Sequence, residues 1–455
     1  MNNYGFHFAE SYQGYWNIAQ IGRKIPGTLY IDKHSIRLEL FWNNVTHIDL
    51  RVFSSATGYA YAEQNNKKLC YYFVLKELKI LHVSWFGKHQ SHYKLDVNQI
   101  FISDMPRFST NGVVNCCLRT KLMDKWVWDY TQDGYSDLWP FKENDIIEIK
   151  YQPKSSLTIF ESDLFELYLK FSNEAHTPNA EGFSMSTHVF LNLRLKKKQK
   201  FYDALDFSES VIWLFSLLWN NQFSPDFIEF RTSKAKFIYK QSDRYSYKYR
   251  DVNNSLLRTN ISDFNIEELS TIIRRWFHLL ENDIDSIATF FETQYNEHMT
   301  PSTMLKNYMS VIDGLSRELK VPATGQSYNR QKYKRFEDIF KNIKPHLTAK
   351  EYNEIKVAVF RESPSELKPR FIQLLNNLLE YANIELNPDF CYRAVETRNF
   401  LTHPKASGKD VFYKEQYRDV AFCLKDLIRA YLLNKIGVSK EIANIILPSK
   451  ITMPN

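Results

Sequence analysis

The chain is poor in the residues that punctuate or staple small folds: 13 glycines, 15 prolines and 5 cysteines in 455 residues. With 44% hydrophobic residues, that scarcity excludes collagen-like, low-complexity and intrinsically disordered classes. The length predicts two or three domains, each with its own core. The cysteines, Cys70, Cys116, Cys117, Cys391 and Cys423, are odd in number and form no Cys-x-x-Cys. Neither a disulfide framework nor a zinc site is therefore expected. His89-x-x-His92 is the nearest approach to a metal pair, lacks a third ligand close by in sequence, and reads as a polar loop, so no metal and no cofactor is expected. No run of 18 or more apolar residues occurs, and Met1-Asn2-Asn3-Tyr4-Gly5 lacks the charged and apolar regions of a signal peptide. The expectation is a soluble cytoplasmic protein with no membrane contact. A net charge of +7 on so long a chain permits nucleic-acid binding without demanding it.

What is present changes period part-way along. From Tyr12 to Tyr151 short strand-like runs alternate with turns, as in Thr28-Leu29-Tyr30-Ile31, Ile36-Arg37-Leu38-Glu39-Leu40 and Leu69 to Leu75. Val113 to Leu118, Ile146 to Tyr151, Leu157 to Phe160, Phe165 to Phe171 and Val189 to Leu195 read the same way. Phe201 to Trp219 then carries Leu205, Val211, Leu214, Leu217 and Leu218 at helical spacing, predicting a helix on the sheet. Phe227 to Phe230 and Ala235 to Tyr239 read as a returning hairpin. The aromatic residues of this half fit either a core or a stacking platform for bases or sugars, and core packing is the preferred reading. The run Lys196-Lys197-Lys198-Gln199-Lys200 fits either a phosphate contact or a solvated turn before the helix, and the turn is the preferred reading.

Past the polar stretch Asp251-Val252-Asn253-Asn254-Ser255 the pattern is helical. Leu269, Ile272, Ile273, Trp276, Leu280, Ile284, Ile287 and Phe291 mark one long helix, and Pro301 opens another that ends near Lys320. Helices are further expected over Phe336 to Phe360 and Leu367 to Tyr381. Asn387-Pro388 reads as an N-cap followed by proline at the first helical position. A last helix repeats Tyr417, Val420, Leu424, Leu427, Ile428 and Tyr431. The fold class is thus α+β: a β-rich domain over residues 1–250, a linker over 251–262 and a helical bundle over 263–455.

Between two of those helices lies Arg398-Asn399-Phe400-Leu401-Thr402-His403, followed by Pro404. On an ideal helix Arg398 and His403 sit about 140° apart, so they converge only where the helix ends. Pro404 biases His403 out of the α region and supplies that end. Histidine moves protons near neutral pH and a guanidinium holds charge on phosphate oxygens, which suits phosphodiester cleavage. The bland alternatives are a helix-end salt bridge for Arg398 and a C-cap for His403.

A bundle whose late helix ends in Arg-Asn-x-x-x-His resembles a HEPN domain. More widely, Asn387-Pro388 to Ile446, with Thr397-Arg398-Asn399-x-x-Thr402-His403 and a closing Leu433-x-x-x-Gly437-Val438-Ser439, is similar to the C-terminal domain of ApeA-type proteins. Gly14-Tyr15-Trp16, Pro26-Gly27-Thr28-Leu29 and Ile36-x-Leu38-x-Leu40 resemble the opening of the ApeA N-terminal domain. The resemblance implies catalytic roles for Arg398 and His403 and the polar third position for Asn399. Asp313, in Ile312-Asp313, matches a carboxylate of many relatives and reads equally as an internal ion pair with an arginine. It also implies metal-independent RNA cleavage, HEPN dimers and anti-phage abortive infection set off by a phage-derived trigger.

RNA carries its own nucleophile: the 2′-hydroxyl attacks phosphorus and leaves a 2′,3′-cyclic phosphate once one group takes a proton and another gives one. Transfer RNA is one substrate this chemistry allows. One chain supplies one motif histidine, so a two-fold pair of bundles is the chemical expectation. Basic and aromatic residues interleave in Gln326 to Phe336, where Arg330, Lys332, Lys334 and Arg335, together with Lys405 beyond the motif, are the expected RNA contacts. Phe390, Tyr392, Phe412, Phe422 and Tyr431 are expected to leave an apolar face for a homodimer. The rival readings are a HEPN bundle that only binds RNA or protein, and a carbohydrate-binding protein acting through the aromatic first half.

Overall fold

The computed structural model describes residues 11–18, 24–32, 35–42, 55–64, 67–86, 90–106, 108–127, 156–179, 182–241 without 222, 224 and 226, 257–319 without 297, 348, 351, 367–403 without 386 and 388, and 410–454. Two compact units divide the chain: Met1–His278 with Tyr295–Glu297, and Leu279–Gln294 with His298–Asn455.

Among the described residues the first unit is built on a twelve-stranded sheet. Strands β1 (Ser11–Ile18), β2 (Lys24–Ile31), β3 (Ile36–Trp42), β4 (Ser55–Gln64), β5 (Lys67–Phe86) and β6 (Gln90–Ser103) run in the order β3-β2-β1-β4-β5-β6. The early residues of β6 also pair with β3, from Arg37↔Asp96 to Trp42↔Ser91, and this closes a six-stranded antiparallel barrel. Alternation explains the closure. Tyr12, Trp16 and Ile18 of β1 are buried while Ser11, Gln13, Tyr15 and Asn17 face out, and β2 and β3 repeat the pattern. Glycine makes room inside: a side chain at Gly58 would collide with the Trp16 indole, and one at Gly27 with Leu40 and the Glu39 carbonyl. Each inward aromatic or aliphatic side chain so buried stabilises the unit by about 1.5–3 kcal/mol.

Beyond the barrel, Gln99 to Ile102 of β6 pair with β12 (Lys236–Gln241), and the sheet continues through β11 (Phe227–Thr232), β7 (Val113–Arg119), β10 (Gly182–Gln199), β9 (Phe165–Asn179) and β8 (Ser156–Glu161). Every expected strand within the described residues lies in one of these; Ile146 to Tyr151 falls outside them. Helix α2 (Phe201–Trp219) has the predicted bounds and packs on β7 and β10. The short α1 (Lys121–Trp126) was not legible as a helix. Thr120 caps it by accepting from the Leu122 N–H at 3.4 Å, and its Trp126 packs edge-on against Phe215. In helix α3 (Ile266–Tyr295), Trp276 Nε1 donates to the Ser210 carbonyl at 2.9 Å and Phe277 meets Phe165, which fastens the start of α3 within this unit.

The second unit is the helical bundle. It comprises α3 from Leu279 to Gln294, α4 (Pro301–Leu315), α5 (Leu367–Leu378), α6 (Phe390–Thr402), α7 (Tyr417–Ile436) and α8 (Lys440–Ile446). The backbone of α3 leaves helical geometry at Asp283, at φ −126° and ψ 22°. Thr300 caps α4, accepting from the Thr303 N–H at 3.3 Å with Pro301 in the first turn. This helix ends at Leu315, short of the expected Lys320, because Arg317 and Leu319 tighten into turns on Gly314 and Ser316. The predicted stripe of α7 is buried throughout, and Gly437 at φ 80° closes the helix with Val438 donating back to the Leu433 carbonyl at 3.0 Å. The expected helices over Phe336 to Phe360 lie outside the described residues. A two-residue parallel pair, β13 (Ile384–Glu385) with β14 (Ile451–Thr452), ties the chain's last segment to the approach of α6.

Two expectations need correction here. The first helical residue of α6 is Phe390, not Pro388. Asn387 instead turns the chain in, its side-chain oxygen accepting from the Asp389 N–H at 3.1 Å while its amide donates to the Pro454 carbonyl at 3.0 Å. Nor do the five aromatic residues form one free apolar face. Phe390, Phe412 and Tyr431 are buried in their own bundle, and the Tyr431 hydroxyl donates to the Leu315 carbonyl at 3.0 Å. Tyr392 and Phe422 alone of the five are exposed, each beneath cations: Lys368 over Tyr392, Arg418 and Lys425 over Phe422.

Candidate active site at the end of α6

Helix α6 buries Phe390, Cys391, Ala394, Val395 and Thr397 against α4 and α5, and this leaves Arg398, Asn399 and Thr402 on its freer side. The helix stops where the motif requires. The His403 N–H still donates to the Asn399 carbonyl at 2.8 Å, but its φ of −125° and ψ of 89° carry the chain out of the helix. Thr402 folds its hydroxyl back onto the Arg398 carbonyl at 2.7 Å, which helps satisfy the exposed helix end. His403 is exposed, and among the described residues its side chain has no hydrogen bond or ion pair. Arg398 is half-buried. Its single polar contact among the described residues runs from Nη1 to Asn399 Oδ1, at 3.3 Å. A guanidinium carries five N–H donors, so among the described residues four are left without a protein acceptor. The salt bridge of the bland reading is absent among the described residues.

The residues that hold this arrangement lie one turn back. Thr397 is fully buried; its hydroxyl donates to the Arg393 carbonyl at 2.6 Å and accepts from the Phe412 N–H at 2.9 Å. Arg393 lays its guanidinium on the Phe412 ring, 4.2 Å from the centroid, and reaches the Val411 carbonyl at 3.4 Å. Together they clamp the chain that returns after the motif onto the helix carrying it. The sequence motif includes Thr397 without disclosing this role, and Arg393 lies outside it. The available signal was their i, i+4 spacing, which places both on one face of the helix ahead of Arg398.

Asp313 sits near the end of α4, where its carboxylate meets Arg370 Nη2 of α5 at 2.6 Å, with side chains 27% and 13% exposed. This is the internal ion pair that the residue equally suggested. Among the described residues Asp313 makes no hydrogen bond or ion pair with Arg398, Asn399 or His403. The expected RNA contacts Arg330, Lys332, Lys334, Arg335 and Lys405 lie outside the described residues. Burial raises the Cys391 thiol on α6 to about 12, so it stays protonated and is no nucleophile near neutral pH. Burial also lowers the Lys425 ammonium on α7, partly offset by Asp426 beside it. Among the described residues no three His, Cys, Asp or Glu side chains gather as a metal site, and no helix is long and apolar enough to cross a membrane.

A β-barrel-containing domain followed by a bundle whose helix ends in Arg-Asn-x-x-x-His defines a two-domain HEPN protein. The chain belongs to the ApeA family: residues 11–276 match ApeA N-terminal domain 1, and residues 307–442, which include Asp313, Arg398, Asn399 and His403, match the Apea-like HEPN domain. No curated protein and no solved structure gives a match. HEPN domains are generally ribonucleases, and membership in this family points to an anti-phage function of that type.

Proposed function

We propose that the protein is a metal-independent endoribonuclease of anti-phage abortive infection, cleaving RNA, transfer RNA included, by attack of the 2′-hydroxyl on the adjacent phosphorus. Arg398 binds the phosphate and stabilises charge that grows on its oxygens in the transition state. Asn399 orients that guanidinium through its side-chain oxygen. His403 exchanges a proton with the attacking or leaving oxygen. The complementary acid or base comes from the His403 of a second copy across a two-fold axis. Asp313 acts at a distance, fixing α4 to α5 through Arg370. The β-rich domain senses the trigger, and residues 326–336 with Lys405 guide the RNA.

The observation that carries this reading is the pairing at the end of α6: an exposed imidazole just past the last helical residue, and a guanidinium on the final turn with one weak protein partner among the described residues. A purely structural arginine and histidine would be satisfied by neighbours. The test is incubation of the purified protein with total RNA beside its Arg398→Ala and His403→Ala variants. Cleavage by the parent and by neither variant is expected. Retention of RNA by the parent in a gel shift, without cleavage, would replace the nuclease with a binding module.

A further inference from the structure

Tyr12, Trp16, Trp42, Tyr71, Phe73 and Tyr93 fill the barrel core, whereas a second group of rings stands outside it. Tyr15 of β1 pairs in register with Tyr59 of β4, and Tyr59 with Tyr72 of β5, so three rings lie in a row across adjacent strands on the outer face. Tyr61 flanks them two residues along β4. Tyr15 and Tyr59 have centroids 6.0 Å apart and Tyr59 and Tyr61 6.3 Å, so the rings touch without covering one another. Tyr15 and Tyr61 are each 50% exposed. Alternation already supplies Tyr12, Trp16, Ala60 and Phe73 to the interior from the same strands, so the barrel core does not need these rings.

A cation is fixed among these rings. Lys24 of β2 holds its ammonium 5.2 Å over the Tyr59 ring, and the exposed carboxylate of β5, Glu77, already accepts a hydrogen bond from the Asn98 amide. On the neighbouring β3, Glu39 is already paired with His92 and Lys94, both at 3.3 Å. Stacking rings with a cation fixed among them suit a ligand that is at once flat-faced and anionic. A neutral glycan would gain stacking and nothing from Lys24. Unpaired bases on a phosphate backbone gain from both. We infer that the outer face of β2, β1, β4 and β5 is a second nucleic-acid site, which binds single strands by stacking bases on Tyr15, Tyr59 and Tyr61 with Lys24 at the phosphates. It lies wholly within the first unit and does not depend on cleavage by the bundle.

A fluorescently labelled twelve-residue oligodeoxythymidine tests this, because it lacks the 2′-hydroxyl and cannot be a substrate of the proposed chemistry. Binding to the full chain should appear as a rise in anisotropy that weakens with salt. Tyr15→Ala and Tyr59→Ala should each weaken it about five-fold or more, Tyr15→Phe should keep it, and Lys24→Gln should flatten the salt dependence. Arg398→Ala should leave it unchanged. Cys70 pairs in register with Tyr61 and is only half-buried, while the other four thiols are buried, so the oligonucleotide should also slow alkylation of Cys70. No binding, equal binding by both tyrosine variants and the parent, or loss through Arg398→Ala alone would overturn the inference. RNA cleavage by the bundle would stand or fall separately.

Discussion

At the residue scale, the polar side chains of the bundle fall into those with a structural partner and those without one among the described residues. Arg398 has only the 3.3 Å contact with Asn399 among the described residues, so substituting it should cost activity and little stability. Arg398→Lys is expected to lower RNA cleavage about 100-fold or more, because an ammonium cannot present a planar fork to phosphate, while the thermal unfolding midpoint stays within about a degree or two of the parent's. Asp313 should behave in the opposite way. Removing its charge breaks the ion pair with Arg370, 13% exposed, and Asp313→Asn should destabilise the bundle by about 1–3 kcal/mol in urea titration. Activity that disappears in Asp313→Asn with no change in the urea midpoint would instead give Asp313 a part in the chemistry.

At the scale of elements, the structure separates what periodicity encodes from what only the assembled chain decides. The bounds of α2 and the stripe of α7 were legible because Leu205 to Leu218 and Tyr417 to Tyr431 repeat the helical period without interruption. Strand β4, Ser55–Gln64, is rich in alanine and glycine, and β6, Gln90–Ser103, is largely polar; neither resembles an isolated strand former, and both are specified by neighbours on either side. The end of α6 was legible in Pro404, whereas its start was not, since Asn387 spends its side chain on Asp389 and Pro454. Sequence spacing could not reveal that Phe412, Phe390 and Tyr431 would be consumed by the protein's own core. The clamp behind the motif exists only in the folded chain. Thr397→Val keeps the volume but strands the buried Phe412 N–H, so it should destabilise the bundle by about 1–3 kcal/mol and reduce cleavage without touching substrate. Full activity at unchanged stability in this variant would remove Thr397 from the positioning of the site.

At the scale of the whole molecule, the shortage of catalytic groups in one chain sets the requirement. Arg398 and His403 supply a single guanidinium and a single imidazole, whereas transesterification uses both a base and an acid. Active protein should therefore sediment as a dimer or larger assembly, and dilution into monomers should abolish cleavage. A monomer that cleaves at full rate would place both proton transfers within one chain. The most direct test of the central claim combines chelation with product chemistry: total RNA is incubated with the parent, Arg398→Ala and His403→Ala in excess EDTA, and the new ends are mapped. Cleavage by the parent alone is expected, with 2′,3′-cyclic phosphate and 5′-hydroxyl ends. Cleavage that stops in EDTA and returns with magnesium, or that persists equally in both variants, would contradict that claim.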